Sequence, residues 1–355
     1  MKVSLWLKGA LWVSWVLVIT GLAAQAQGNQ FNTNGNILIS DQFNNRVIEV
    51  NPNTHKIVWH FGTGSNKPGP DTVVGVNDAQ RIADFTLIAG TGIPPGGTPD
   101  CPNGCADNRV MIVDQAGAIV WQYGKAGVTG SGPNELNTPV QNTFLTNGDV
   151  LITDQGNQRV IEVDPFTDKP NKIVWQYGRT GVAGCGADEL NSPNSAELLA
   201  NGHILIADEN NNRVIEVTRA KAIVWSYGSC TGAELSGAAF ASRLPDGQTL
   251  ITDSNNHRIL GVTAAKKIVF EYETTSQPGS CDAANTCPLP SRAVRLANGN
   301  TLISNQFDMQ VIEIDPQKQI VFTQGKLGIA GTGFDELNAP YDAKVVGDYT
   351  GLTPP

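Results

Sequence analysis

Gln141–Tyr177 reads QNTFLTNGDVLITDQGNQRVIEVDPFTDKPNKIVWQY. Four runs in it are rich in β-branched and aromatic residues: Gln141–Leu145, Val150–Thr153, Arg159–Val163 and Lys172–Tyr177. An Asn147-Gly148 turn separates the first two, and short polar segments separate the rest. Runs of this length with an Asn-Gly turn predict four antiparallel strands joined by tight connections.

The same phrase recurs along the chain. Its last element is Ile-Val-aromatic, at Ile57-Val58-Trp59, Ile119-Val120-Trp121, Ile173-Val174-Trp175 and Ile223-Val224-Trp225, then with Phe at Ile268-Val269-Phe270 and Ile320-Val321-Phe322. The aromatic positions lie 45–62 residues apart, and every Trp beyond residue 26 occupies this slot. An Arg precedes each copy, as Arg46, Arg109, Arg159, Arg213 and Arg258, with Gln310 in its place in the sixth. Turn glycines recur at Gly35, Gly148, Gly202, Gly247 and Gly299. The second copy lacks its Asn-Gly turn and carries an insertion through Cys101 and Cys105. Six four-stranded units of about 55 residues predict an all-β, six-bladed β-propeller. The orphan strand at 341–347 should complete blade one and close the ring, which removes exposed sheet edges.

Composition agrees. The 355 residues hold 38 Gly and 20 Pro, a turn-rich balance, and 40% hydrophobic residues, enough for a packed core. With 24 Lys+Arg against 33 Asp+Glu the formal charge is −9, which argues against nucleic acid or an anionic membrane as the main partner. Lys2 and Lys8, the apolar run Leu11–Ala24 and Ala24-Gln25-Ala26 read as a signal peptide over residues 1–26, leaving 27–355 as one propeller domain, secreted or periplasmic. The six Cys then read as disulfides. Fifteen pairings are open, and the expected set is Cys101–Cys105, Cys281–Cys287 and Cys185–Cys230. The Cys101/Cys105 spacing lacks the partners of a zinc finger.

The motif Asp-x-x-Asn-x-Arg stands at Asp41/Asn44/Arg46, Asp154/Asn157/Arg159, Asp208/Asn211/Arg213 and Asp253/Asn256/Arg258. With the glycine-rich loops ending in Leu136-Asn137-Thr138-Pro139, Leu190-Asn191-Ser192-Pro193 and Leu337-Asn338-Ala339-Pro340, it resembles the NHL-repeat family. The Lys-Ile-Val-Trp phrasing is also similar to arylsulfotransferase-like and quinoprotein-like propeller repeats. The resemblance implies the fold over nearly the whole mature chain and leaves function open. The second copy lacks the Asp, and the sixth has Asn305/Asp308/Gln310.

A triad copied around a ring predicts a structural role. Candidate ligand residues should instead be unrepeated ones on the innermost strands. Counting from the loop Pro or its equivalent gives Asn77, Gln141, Ser195, Ala241, Arg292 and Asp342 in one row. The second row is Ala79, Thr143, Glu197, Arg243, Val294 and Lys344. From these, Asn77, Gln141, Glu197, Arg243, Arg292, Asp342 and Lys344 are the channel candidates. The first reading is a monomeric, non-catalytic scaffold that binds a protein, peptide or glycan at the channel mouth, without a cofactor. The alternative is a lactonase-like hydrolase or lyase using a divalent ion, Ca²⁺ or Zn²⁺, with Glu197 and Asp342 as candidate ligands. Sulfuryl transfer calls for a central histidine, and His55, His60, His203 and His257 all fall outside both rows. No haem-attachment Cys-x-x-Cys-His or His-Glu-x-x-His zinc motif occurs.

Overall fold

A computed structural model describes residues 30–281 and 287–355. The expected signal peptide lies outside them. Residues Phe31–Pro355 form one compact unit of six antiparallel four-stranded sheets. Blade 1 is Ile37–Asp41, Arg46–Asn51 and Lys56–Phe61, with Pro340–Val345 as its innermost strand. Blade 2 is Val76–Ile82, Phe85–Ile93, Cys105–Val113 and Ile119–Tyr123. Blade 3 is Pro139–Phe144, Val150–Asp154, Arg159–Val163 and Ile173–Tyr177. Blade 4 is Pro193–Leu198, Ile204–Asp208, Arg213–Val217 and Ile223–Gly228. Blade 5 is Ala238–Arg243, Thr249–Asp253, Arg258–Val262 and Ile268–Glu273. Blade 6 is Pro290–Arg295, Thr301–Asn305, Gln310–Ile314 and Ile320–Gln324.

The C-terminal strand closes the ring as the sequence predicts, with Ile39 opposite Ala343 in an antiparallel ladder. In blade 2 the missing Asn-Gly turn is replaced by a two-residue turn at Ala83-Asp84, where Ala83 adopts φ 46°. The three disulfides are Cys101–Cys105, Cys185–Cys230 and Cys281–Cys287.

The core lies between blades rather than within them. Leu151 and Tyr177 of blade 3 pack with Ile204 and Ile215 of blade 4. Equivalent clusters fill the other five interfaces. The repeated Trp serves the same joint. Trp59, Trp175 and Trp225 donate their indole N–H to Gln115, Arg219 and Ala264 carbonyls, at 2.9–3.0 Å, in the outer hairpin turn of the following blade. Each ring therefore covers apolar area and latches its neighbour, while Val174 and Val224, beside Trp175 and Trp225, stay exposed.

Candidate functional site

The Asp-Asn-Arg triad ties the second strand, the third strand and the entry loop together. Asp154 accepts from the Asn137 amide, Asn157 Nδ2 and Arg159 Nε at 2.7–2.8 Å. Asp41, Asp208 and Asp253 accept the same three donors from their own blades. The two departures have physical causes. In blade 2 Gly90 holds the Asp position, opposite Arg109. Asp107 reaches over from the third strand, so a Cβ on Gly90 would lie 2.6 Å from its Cγ. Asp107 accepts the Val74 amide at 2.7 Å and pairs with Arg109 at 2.5 Å. The carboxylate is kept and only its strand of origin has changed. In blade 6 the loop residue in the donor position is Pro288, which has no N–H to give, and Asn305 replaces Asp.

Each innermost strand carries a bulge just after its first residue, and the bulge sets which side chains line the channel. Register places Val76 opposite Gly90 and Ala238 opposite Asp253, where Pro193 stands opposite Asp208. The first row is therefore Asp78, Gln141, Ser195, Phe240, Arg292 and Asp342. The second is Gln80, Thr143, Glu197, Ser242, Val294 and Lys344. The sequence count slips by one in blades 2 and 5, which lack the loop Pro, and a one-residue slip flips every side chain. Asp78 is the residue the slip conceals. Arg243 leaves the row: it packs over the Trp225 ring, 5.0 Å from its centroid, and pairs with Glu216 at 3.0 Å. Asn77 sits at the bulge, at the channel mouth, accepting from Gln42 Nε2 at 2.7 Å.

The first row has a task that explains its polarity. An innermost strand presents an unpaired edge, and the preceding blade satisfies it. Asp342 accepts the Ala79 amide at 3.3 Å, Asp78 the Asn142 amide at 3.2 Å, Gln141 the Ala196 amide at 2.8 Å and Ser195 the Ala241 amide at 3.3 Å. Around the axis Lys344 Nζ lies 2.5 Å from Asp78 and 2.6 Å from Asp342. Arg292 lies 2.8 Å from Asp78 and 2.5 Å from Asp342, against the Phe240 ring. Two acids and two bases thus neutralise one another out of water. Burial pushes the Asp78 carboxyl up to about 6, although Lys344 and Arg292 both pull it down.

The far end of the channel is covered by the segment 348–353. Asp348 accepts the Ala297 amide at 2.8 Å, and Tyr349 donates its hydroxyl to the Arg81 carbonyl at 3.2 Å. Thr353 gives Glu197 Oε2 its amide at 2.8 Å and its hydroxyl at 2.5 Å. Gln141 donates to the other oxygen of Glu197 at 2.6 Å. Glu197 and Asp342, the candidate metal ligands, are therefore both engaged by protein partners. Among the described residues no group of three or more His, Cys, Asp or Glu side chains is placed to hold an ion.

The entry-loop end is built differently. Tyr341 of blade 1 crosses to blade 4, where Asn194 Nδ2 donates to its hydroxyl at 2.8 Å. Burial holds this phenol far above its usual range. Beside this bar opens a pocket of about 400 Å³. Its polar lining includes Gln42, Asn77, Asn103, Asn108, Thr129 and Gln155, and its apolar wall includes Ile93, Pro94 and Pro95. The Cys101–Cys105 disulfide braces the blade-2 insertion that forms this wall. No ionisable side chain is among the described residues lining the pocket.

No family model matches the chain, and no curated protein matches it. Solved structures do. A protein of unknown function from Bacteroides caccae superposes with a TM-score of 0.57 at 15% identity, over 82% of this chain and 93% of that one. A streptogramin B lyase gives 0.52 at 14% identity, over 84% and 80%. A chain of a nidogen/laminin complex gives 0.51 at 10% identity, over 81% and 92%. One of these is named a lyase and another comes from a protein complex. At such identities the likeness establishes the six-bladed propeller and nothing finer.

Proposed function

We propose that this chain is an exported, NHL-like propeller that acts as a non-catalytic binding module, and that it takes an extended peptide segment of a partner in the pocket at its entry-loop face. The observation that carries the reading is the division between the two ends. The acids and bases of the innermost strands are engaged by ring partners, so they hold the blades together. The pocket walls offer amides and hydroxyls with no ionisable group. Gln42 and Asn108 spend both amide ends on the ring, but Asn77 Nδ2, Gln155 Oε1 and the exposed Asn103 leave a donor, an acceptor and a whole amide for a peptide backbone. The exposed Pro94 and Pro95, seated on the buried Ile93, supply apolar contact for one face of such a segment. The lining lacks the aromatic ring on which a sugar would stack, which favours peptide over glycan. Three disulfides and a propeller without a helix long and apolar enough to cross a membrane, among the described residues, support export. The metal-dependent hydrolase reading is weaker, because an ion at Glu197 or Asp342 would have to break the Thr353, Gln141, Lys344 and Arg292 contacts.

The test is selection of peptides from a random library on the immobilised mature protein, with titration of the enriched sequences. Ala106→Trp fills the pocket from its lining and should weaken them at least tenfold. Equal binding to both proteins, or enrichment of oligosaccharides alone on a glycan array, sinks the proposal.

A further inference from the structure

We infer that Glu209, where the pocket meets the channel mouth, is the recognition residue for a cationic side chain, lysine or arginine, of the bound peptide. The inference rests on the peptide-binding reading and adds a side-chain preference to it. Glu209 follows Asp208 at the start of a short turn. The corresponding residues of the other blades with this turn are Gln42, Gln155, Ser254 and Gln306, so the charge is unique in a ring that otherwise repeats. It lies at the pocket rim, because Gln155 both lines the pocket and donates to Glu209 Oε2 at 3.2 Å. Asn194 donates to the same oxygen at 2.8 Å, and its other contact is the Tyr341 bar.

The partners of Glu209 set it apart. Glu49, Asp78, Asp107 and Asp342 each hold a guanidinium or ammonium at 2.5–2.6 Å. Glu209 has two neutral amides, both on Oε2. Among the described residues no donor reaches Oε1 and no cation pairs with the carboxylate. The side chain is half-buried, its Oε1 is not among the enclosed unpartnered atoms, and partial burial raises its pKa. A half-buried carboxylate with no cationic partner is solvated less well than one in open water. An entering ammonium or guanidinium would supply the missing partner through a charge-assisted hydrogen bond to Oε1. The net acidic chain would also draw such a ligand in.

The experiment uses two capped pentapeptides, Ala-Ala-X-Ala-Ala with X either lysine or norleucine, titrated by calorimetry or NMR. On the wild type the lysine peptide should bind about 10- to 100-fold tighter, the range of a charged hydrogen bond. Glu209→Gln should bring it down to the norleucine level and leave the norleucine peptide unchanged. Glu209→Asp, which keeps the charge, should retain a preference for lysine. An unaltered lysine preference in Glu209→Gln overturns the inference, and it leaves the pocket reading standing if Ala106→Trp weakens both peptides. A lysine preference that depends on Glu209 but survives Ala106→Trp keeps the cation site and removes the pocket. No binding of either peptide to the wild type overturns both.

Discussion

Blade 2 offers a transplant experiment. Its triad carboxylate comes from Asp107 on the third strand, whereas four other blades supply it from the end of the second strand, the place Gly90 occupies. Asp107→Gly leaves Arg109, only 2% exposed, without its carboxylate and the Val74 amide without an acceptor. Breaking a buried pair from one side costs about 3–5 kcal/mol, and the lost amide bond about 1 kcal/mol more. At roughly 2 °C per kcal/mol for a domain of this size, the transition should fall by about 8–12 °C. Gly90→Asp alone places a Cβ 2.6 Å from the Asp107 Cγ, so crowding should cost about 1–3 kcal/mol. The double variant removes the obstruction and restores a carboxylate facing Arg109. It should recover about 3 kcal/mol, with the remainder lost because Ile93 stands where four of the other blades have Asn. Urea unfolding of the four proteins gives the coupling energy directly. A coupling within about 0.5 kcal/mol of zero refutes the claim that Asp107 is the displaced triad acid.

Two further predictions concern the channel floor and blade 6. Thr353→Val keeps the shape but removes a hydroxyl that donates to Glu197 and accepts the Leu198 amide at 2.9 Å, so it should cost about 2–3 kcal/mol in chemical unfolding; a loss under about 0.5 kcal/mol means the segment merely rests on the ring. Burial pushes Asp308 from its usual 3.8 up to about 6, against the opposing Ser280 hydrogen bond and His257. The folded state then binds this proton more tightly, so its stabilisation is complete below about pH 4 and is lost as pH rises through 6, a change of about 1–2 kcal/mol after allowance for solvent screening. Asp308→Asn should remove that slope, and stability-versus-pH curves that stay parallel for the two proteins contradict it.

The repeat phrase by itself determined the blades, their number and the closing strand. Turn glycines, β-branched runs and the Ile-Val-aromatic slot are local signals, and six weak copies reinforce one another. The structural nature of the Asp-Asn-Arg triad was legible for the same reason, since a role copied around a ring belongs to the ring. The channel rows were legible only where a loop Pro marked the count. In blades 2 and 5 the marker is missing, and a strand's period of two turns a one-residue error into the opposite face. That is why Asp78 was hidden and Arg243 was placed in the channel. Glu209 and Tyr341 were beyond any reading along the chain: they approach each other through Asn194 because blades 1 and 4 face one another across the axis. Asp107 in the role of Gly90's missing side chain is likewise a fact of space. Periodicity dictates secondary structure and repeat count because those depend on neighbours in sequence, whereas the pairing of charges across a closed ring depends on distances that only closure creates.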